Sequence, residues 1–163
     1  MKKINRKHIS ELLKIVNEGS FFKLIALEVC EIDIGYARVE MLLDERHMNT
    51  FGGIHGGVYA SVIDTAAFWS VYCDLPEDVG CVSLDLQVHD LASVKTGKII
   101  AEGKRIKAGR TICLADVKLT HESGKIIAAG TSKLLVTKDL QSVSALASNL
   151  GIAQMPSKFI RRF

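Results

Sequence analysis

Residues 56–73 read Gly56-Gly57-Val58-Tyr59-Ala60-Ser61-Val62-Ile63-Asp64-Thr65-Ala66-Ala67-Phe68-Trp69-Ser70-Val71-Tyr72-Cys73, eighteen residues with a single charge. The length and alanine content point to a helix, and its apolar side chains face almost every direction. A helix that is apolar all round has to be buried on most sides. Leu75-Pro76-Glu77-Asp78 follows and ends it, because proline cannot continue a helix. The rest of the chain must therefore supply the cover.

Most of the rest alternates with period two. Upstream, Cys30, Ile32 and Ile34 alternate with Glu31 and Asp33, and after Gly35 the residues Ala37, Val39 and Met41 alternate with Arg38 and Glu40. That is a hairpin signature with glycine in the turn. Downstream, Val82, Leu84, Leu86 and Val88 alternate with Ser83, Asp85, Gln87 and His89. Lys98–Lys107, Thr111–Thr120 and Lys125–Thr137 also read as strands, parted by Ala108-Gly109 and by Glu122-Ser123-Gly124, which are turn chemistries. Met1–Glu18 predicts an amphipathic helix through Ile4, Ile9, Leu12, Leu13, Ile15 and Val16, and Phe21–Leu27 a short helical turn or connector. The outline is helix, hairpin, buried helix and four-strand meander. One antiparallel sheet wrapped around a central helix, an α+β arrangement, satisfies it.

Composition sets the outer limits. The chain has 163 residues, 48% hydrophobic and 24% charged, which fits a single ordered domain over residues 1–163 and excludes intrinsic disorder. A net charge of +3 and 6% aromatic residues do not suggest a nucleic-acid partner. Charged and polar residues interrupt the N-terminus too early for a signal core. The uncharged run Leu140–Ser157 is too rich in serine and amide residues to span a bilayer, so the expected location is the cytoplasm. Cys30, Cys73, Cys81 and Cys113 are scattered without pairing motifs and read as reduced thiols, three of them in apolar runs. No cluster of His, Asp and Glu has metal-ligand spacing, and no metal is expected.

Within the apolar helix Gly57, Ser61, Asp64, Thr65 and Phe68 share one face. A carboxylate on an otherwise buried helix is costly unless it has partners or a task; from position alone, a structural and a functional Asp64 stand even. Just upstream, Asn49-Thr50-Phe51-Gly52-Gly53-Ile54-His55-Gly56-Gly57 feeds directly into the helix start. First-turn amides have no intrahelical acceptor, and glycine lets a substrate approach them. A carbonyl oxygen placed there would be polarised as in an oxyanion hole.

The pattern N-x-x-G-x-x-H-G-G, with an Asp nine residues after the His, resembles that of the PaaI-type hotdog-fold acyl-CoA thioesterases. Asn49, Gly52, His55, Gly56, Gly57 and Asp64 match, and the likeness runs on through Gly80–Asp85, Lys107–Arg110 and Gly124–Ala128, covering about residues 22–137. The resemblance implies a hotdog fold and hydrolysis of acyl-CoA thioesters. It implies that Asp64 activates water or attacks directly, that the Gly56 N–H polarises the carbonyl, and that Asn49 holds water or the carbonyl. His55 would lie near the sulfur, and Ser83 would orient the water with Asp64. No separate cofactor is expected, because coenzyme A is part of the substrate. Leu91-Ala92-Ser93-Val94 lacks a proline that many relatives carry nearby.

Helix geometry adds an independent constraint. Gly56 and Asp64 are eight residues apart, or ~12 Å at ~1.5 Å per residue, whereas a base acts within about 3 Å, directly or through one water. Two antiparallel helices from different subunits can serve one carbonyl, so a homodimer or dimer of dimers is expected. Seven basic residues lie between Lys95 and Lys118; they read either as solvated strand faces or as a landing site for coenzyme A phosphates. Lys107, Gly109, Arg110, Asp85 and Lys95 are the candidate coenzyme contacts. Phe51, Phe68 and Trp69 would shape an acyl pocket or simply pack a core. The tail from Asp139, expected helical, would pack on a neighbouring subunit or cover that pocket. The competing reading is a non-catalytic acyl-CoA-binding hotdog module. His8 and His121 are expected to be exposed, His89 to end a strand on its polar face, and His47 could line the site.

Overall fold

In the computed structural model, which describes residues 3–138, 140–152 and 154–160, the first element is a two-residue strand, β1 (Lys3–Ile4). Asn5 then caps α1 (Arg6–Asn17), its side chain accepting from the Lys7 N–H, which satisfies one donor that a helix start leaves open. Ile9, Leu12 and Val16 are buried at the spacing of one helical face. His8 is buried with them rather than exposed: Tyr72 and Pro156 enclose its ring. After α2 (Ser20–Leu24) come the hairpin strands β2 (Leu27–Asp33) and β3 (Tyr36–Leu42). A loop holding one 3-10 turn leads into the central helix α3 (Gly56–Tyr72). The strands β4 (Gly80–Asp90), β5 (Lys98–Ala108), β6 (Ile112–His121) and β7 (Ile126–Thr137) follow, then α4 (Val143–Asn149) and β8 (Phe159–Ile160).

The six long strands form one antiparallel sheet in the order β2-β3-β5-β6-β7-β4. The expected four-strand meander is therefore only three strands long. β5 pairs with β3, Leu42 opposite Lys98, and β4 pairs with β7 at the far edge, Asp90 opposite Ala128. Residues 91–97 carry the chain between them across the sheet end, where the Leu91 and Ala92 amides donate to the Ile127 carbonyl and Leu43 donates to Gly97. Alternation fixes which face of a strand is buried but not which strand lies beside it.

α3 lies across this sheet, with Val62, Ile63, Ala66 and Ala67 fully buried. Its seat is visible in the register: Gly103 and Gly130 both stand opposite Val117, one row across β5, β6 and β7. A Cβ at Gly103 would meet the Ala66 carbonyl oxygen at 2.3 Å, and one at Gly130 would meet the Ile63 side chain at 2.8 Å. Two strand spacings are about 10 Å, close to the diameter of a helix. The two glycines thus cut the trough in which α3 rests. Three of its polar side chains are satisfied within the helix: Ser61, Thr65 and Ser70 donate to the carbonyls of Gly57, Ser61 and Ala67. Hydroxyls can do this and carboxylates cannot, which leaves Asp64 to find a partner elsewhere.

The tail is helical only over α4. It then returns along the end of α3, and β8 pairs with β1, Lys3 opposite Ile160 and Ile4 opposite Phe159. The expected helix start at Asp139 lies outside the described residues. Lys158 anchors this return. It is fully buried, its ammonium sits 3.8 Å from the Tyr72 ring centroid, and its Nζ donates to the Pro76 carbonyl. Among the described residues, no helix is long and apolar enough to cross a membrane.

Candidate active site

Asp64 finds its partner on β4. The Ser83 hydroxyl donates to Asp64 Oδ1 at 2.8 Å, so the two residues paired from sequence lie together. Ser83 sits where β4 bulges between Ser83 and Asp85, and a bulge re-aims the side chains beside it. Asp64 also stands in the wall of a cavity of about 440 Å³. Ser61, Thr65, Phe68 and Trp69 of α3 share that wall, and the rings of Phe68 and Trp69 meet edge-on. Phe51, expected with them, is instead 95% exposed at a loop tip. A half-buried carboxylate, a hydroxyl that orients it and an apolar hollow beside it are the means to activate a water against an apolar substrate.

Gly56 begins α3, so its N–H has no acceptor within the helix. His55 is the cap: its Nδ1 accepts from the Gly57 N–H at 2.9 Å. A neutral imidazole that accepts at Nδ1 carries its proton on Nε2, and the exposed ring presents that N–H outward. The Asn49 side chain is turned into its own loop. Its Oδ1 accepts from the Phe51 and Gly53 amides and its Nδ2 donates to the Ile54 carbonyl. In this arrangement Asn49 fixes the shape of the turn that delivers His55 and Gly56. Asp90, which the sequence reading passed over, lies close by: a Cβ at Gly56 would be 3.0 Å from its Oδ2. A carboxylate at a helix start lies in the field of that helix's positive end.

The helix start and Asp64 are not brought together within one chain. Gly56 lies by Asp90 at one end of β4, and Asp64 is bonded to Ser83 seven residues back along the strand. The coenzyme candidates divide in the same way. Ser83, Leu134, Cys113 and Ala108 form one row of the sheet, which places Lys107, Gly109 and Arg110 at the Asp64 end, about three strand spacings or ~14 Å from Ser83. Lys95 lies in the segment at the Gly56 end. Lys107, Arg110 and Lys95 make no ion pair among the described residues, whereas Lys98 is held by Glu40 and Arg105 by Asp74. Asp85 is engaged with Lys133 at 2.6 Å, which holds its carboxyl below the usual range.

His47 does not line the site. It is buried, its Nδ1 accepts from the Asp44 N–H, and its Nε2 donates to the Ile25 carbonyl. Burial pushes the thiols of Cys73 and Cys81 up to about 12, so neither is a thiolate near neutral pH. No group of His, Cys, Asp and Glu among the described residues is arranged to hold a metal ion. The cavity's other walls include Phe22 on α2, which the sequence reading did not single out, and Val143 and Leu146 on α4, in the tail expected either to pack on a neighbouring subunit or to cover an acyl pocket. Val143 and Leu146 are three residues apart in a tail of small residues, a spacing that marks one helical face.

Four known proteins or families resemble this chain. A family model described as the thioesterase superfamily matches residues 51–128. Acyl-coenzyme A thioesterase 13 of Mus musculus is 27% identical over 128 residues, covering 76% of this chain and 91% of that protein. A thioesterase structure from Haemophilus influenzae superposes with a TM-score of 0.74 at 25% identity, covering 81% and 92% of the two chains. The E. coli PaaI protein, from the phenylacetic acid degradation operon, superposes at 0.73 with 18% identity, covering 83% and 96%.

Proposed function

Because residues 51–128 match the thioesterase superfamily model and the fold is that of hotdog thioesterase structures, we propose that the chain belongs to that superfamily and hydrolyses acyl-CoA thioesters to the free acid and coenzyme A. The observation that carries this reading is the Ser83–Asp64 hydrogen bond at the wall of an apolar cavity. Asp64 takes a proton from water as the water oxygen attacks the thioester carbonyl carbon. The carbonyl oxygen becomes an oxyanion and is met by the Gly56 N–H, a donor fixed in place before the charge develops. Collapse of the tetrahedral intermediate breaks the C–S bond, and the thiolate leaves with a proton from the acid form of Asp64 or from His55 Nε2–H. Direct attack by Asp64, through a mixed anhydride that water then opens, uses the same contacts.

The site is completed by a second copy of the chain. Gly56 and Asp64 are ~12 Å apart along α3, too far for one carbonyl. β4, eleven residues long, is the edge strand on the Asp64–Ser83 side of the sheet, β2 being the other edge, and such an edge is a template for pairing. Pairing β4 with its copy about a two-fold axis sets two α3 helices antiparallel, so that Gly56 of each faces Asp64 of the other. The same operation brings Lys95 of one copy toward Lys107 and Arg110 of the other, a basic rim suited to the coenzyme phosphates. His55 and the loop held by Asn49 travel with Gly56.

The test is thiol release from a panel of acyl-CoAs by the wild type and Asp64→Ala. Turnover by the wild type, with a fall of about 10²-fold or more in the variant, is expected for loss of a positioned acid–base group. Acyl-CoA binding without turnover on any substrate would overturn the reading in favour of a non-catalytic binding module.

A further inference from the structure

The cavity beside Asp64 is roofed by a segment that lies outside the residues matched to the thioesterase family model. α3 and α2 form its floor and one side; the other side is Gln141, Ser142, Val143 and Leu146. This roof is fastened on both flanks. At the near end the Leu140 and Gln141 carbonyls pass so close to Gly80 that a Cβ there would meet them at 2.4 Å. Ser142 caps α4, accepting from the Ala145 N–H, and Asp78 Oδ1 accepts from the Ser144 N–H. At the far end Lys158 and the β1–β8 pair hold the chain against α3. The roof is a built part of the fold.

We propose that α4 selects the acyl group, admitting uncharged apolar acyl bodies of intermediate size, with Leu146 as the residue that sets the limit. The inference rests on the thioesterase reading. Among the described residues the wall contains no Lys, Arg or His, while Asp64 brings a carboxylate and Phe22, Phe68, Trp69, Val143 and Leu146 bring apolar surface. A terminal carboxylate on the acyl group would lose its hydration there with no cation to meet it and a like charge nearby. An acetyl group would leave the hollow largely empty, forgoing about 4-fold in affinity for each methylene not buried. At roughly 30 Å³ per water-sized group, a void of about 440 Å³ has room for on the order of 15 non-hydrogen atoms. A sixteen-carbon palmitoyl chain fills that room to its limit and would press against Leu146.

The experiment measures kcat/KM for acetyl-, succinyl-, octanoyl- and palmitoyl-CoA with the wild type, Leu146→Ala, Leu146→Trp and Leu146→Met. The wild type should prefer octanoyl-CoA over acetyl-CoA by ~10²-fold or more, six methylenes at about 4-fold each setting a ceiling of ~10³-fold, and over succinyl-CoA by ~10-fold or more. Leu146→Trp should lower octanoyl-CoA hydrolysis ~10-fold, and Leu146→Ala should raise palmitoyl-CoA relative to octanoyl-CoA by a similar factor. Acetyl-CoA hydrolysis, which does not reach the roof, should stay near the wild-type level and reports that the variants are folded. If Leu146→Trp loses acetyl-CoA hydrolysis as well, Leu146→Ala decides alone. Leu146→Met should keep the wild-type order. Hydrolysis with an unchanged order in the Ala and Trp variants, or succinyl-CoA taken as well as octanoyl-CoA, would overturn the role of α4 and leave the thioesterase reading standing. No hydrolysis by the wild type would overturn both.

Discussion

Replacing Lys158 with methionine should remove a cost that the fold carries at neutral pH. The side chain is 1% exposed, and among the described residues its ammonium has one hydrogen bond, to the Pro76 carbonyl at 3.2 Å, and the face of Tyr72 at 3.8 Å. Desolvation brings its pKa down to about 8, against about 10.4 for a lysine in the unfolded chain. The folded protein therefore binds this proton less tightly than the unfolded one. The sign follows: the cost is fully present below pH ~8 and is relieved as pH rises toward ~10.4, so stability gains with pH across that window. Near neutrality it is about 3 kcal/mol, from a shift of about 2.4 units at 1.36 kcal/mol each. About 2 kcal/mol of it is recovered between pH 7 and 9.5. Methionine keeps an unbranched apolar stem against Tyr72 without the charge. Urea unfolding of wild type and Lys158→Met at both pH values reads the difference directly. Relative to the variant, the wild type should gain about 2 kcal/mol at the higher pH. Stability curves that stay parallel would refute the argument, since the ammonium would then be no worse off inside than in water.

The remaining expectations concern the seat of the helix and the site. Gly103→Ala should lower stability by about 1–3 kcal/mol or more by thermal unfolding, because its Cβ would strike the Ala66 backbone rather than a movable side chain. Ser83→Ala should cut kcat about 10-fold with KM little changed, as expected when a hydrogen bond to a charged group is lost; an equal rise in KM would mean that Ser83 holds the substrate instead. Lys107→Ala with Arg110→Ala should raise KM for acyl-CoA several-fold at low salt, and the effect should fade at high salt as screening weakens phosphate contacts in the wild type too.

Much of this molecule was legible because its strongest signals are periodic. α3 is apolar all round and the strands alternate cleanly, so their existence and the buried faces follow from side-chain direction alone. Their neighbours do not. β5 joins β3 rather than β4 because of a link across the sheet end, and the trough under α3 depends on Gly103 and Gly130 falling into one row, a fact of register. The pairing of Asp64 with Ser83 was expected only from the family resemblance, since neither the helical face of Asp64 nor the alternation around Ser83 shows which residue the other meets. Asn49 was expected, from the resemblance, to hold water or the carbonyl; that its Oδ1 and Nδ2 also bond its own loop is local geometry that the motif does not display. The burial of His8 and Lys158 and the placement of Leu146 over the cavity depend on contacts more than sixty residues away or on the path of the tail.

The central claim is that Asp64 of one copy and the Gly56 N–H of another serve a single thioester, and mixing two inactive variants tests it most directly. Gly56→Pro deletes the N–H at the first helical position, where proline is favoured, and His55 already has the extended backbone (φ −69, ψ 132) that a following proline requires. Alone it should lose about 10²–10³-fold in kcat, as removal of an oxyanion donor does; Asp64→Ala alone should fall at least as far as the lower figure. Co-expressed in equal amounts, the two should recover up to about a quarter of wild-type thiol release, since half of randomly formed two-fold dimers are mixed and each has one intact site of two. Activity no higher than that of either parent, in dimers verified as mixed, would contradict the shared site.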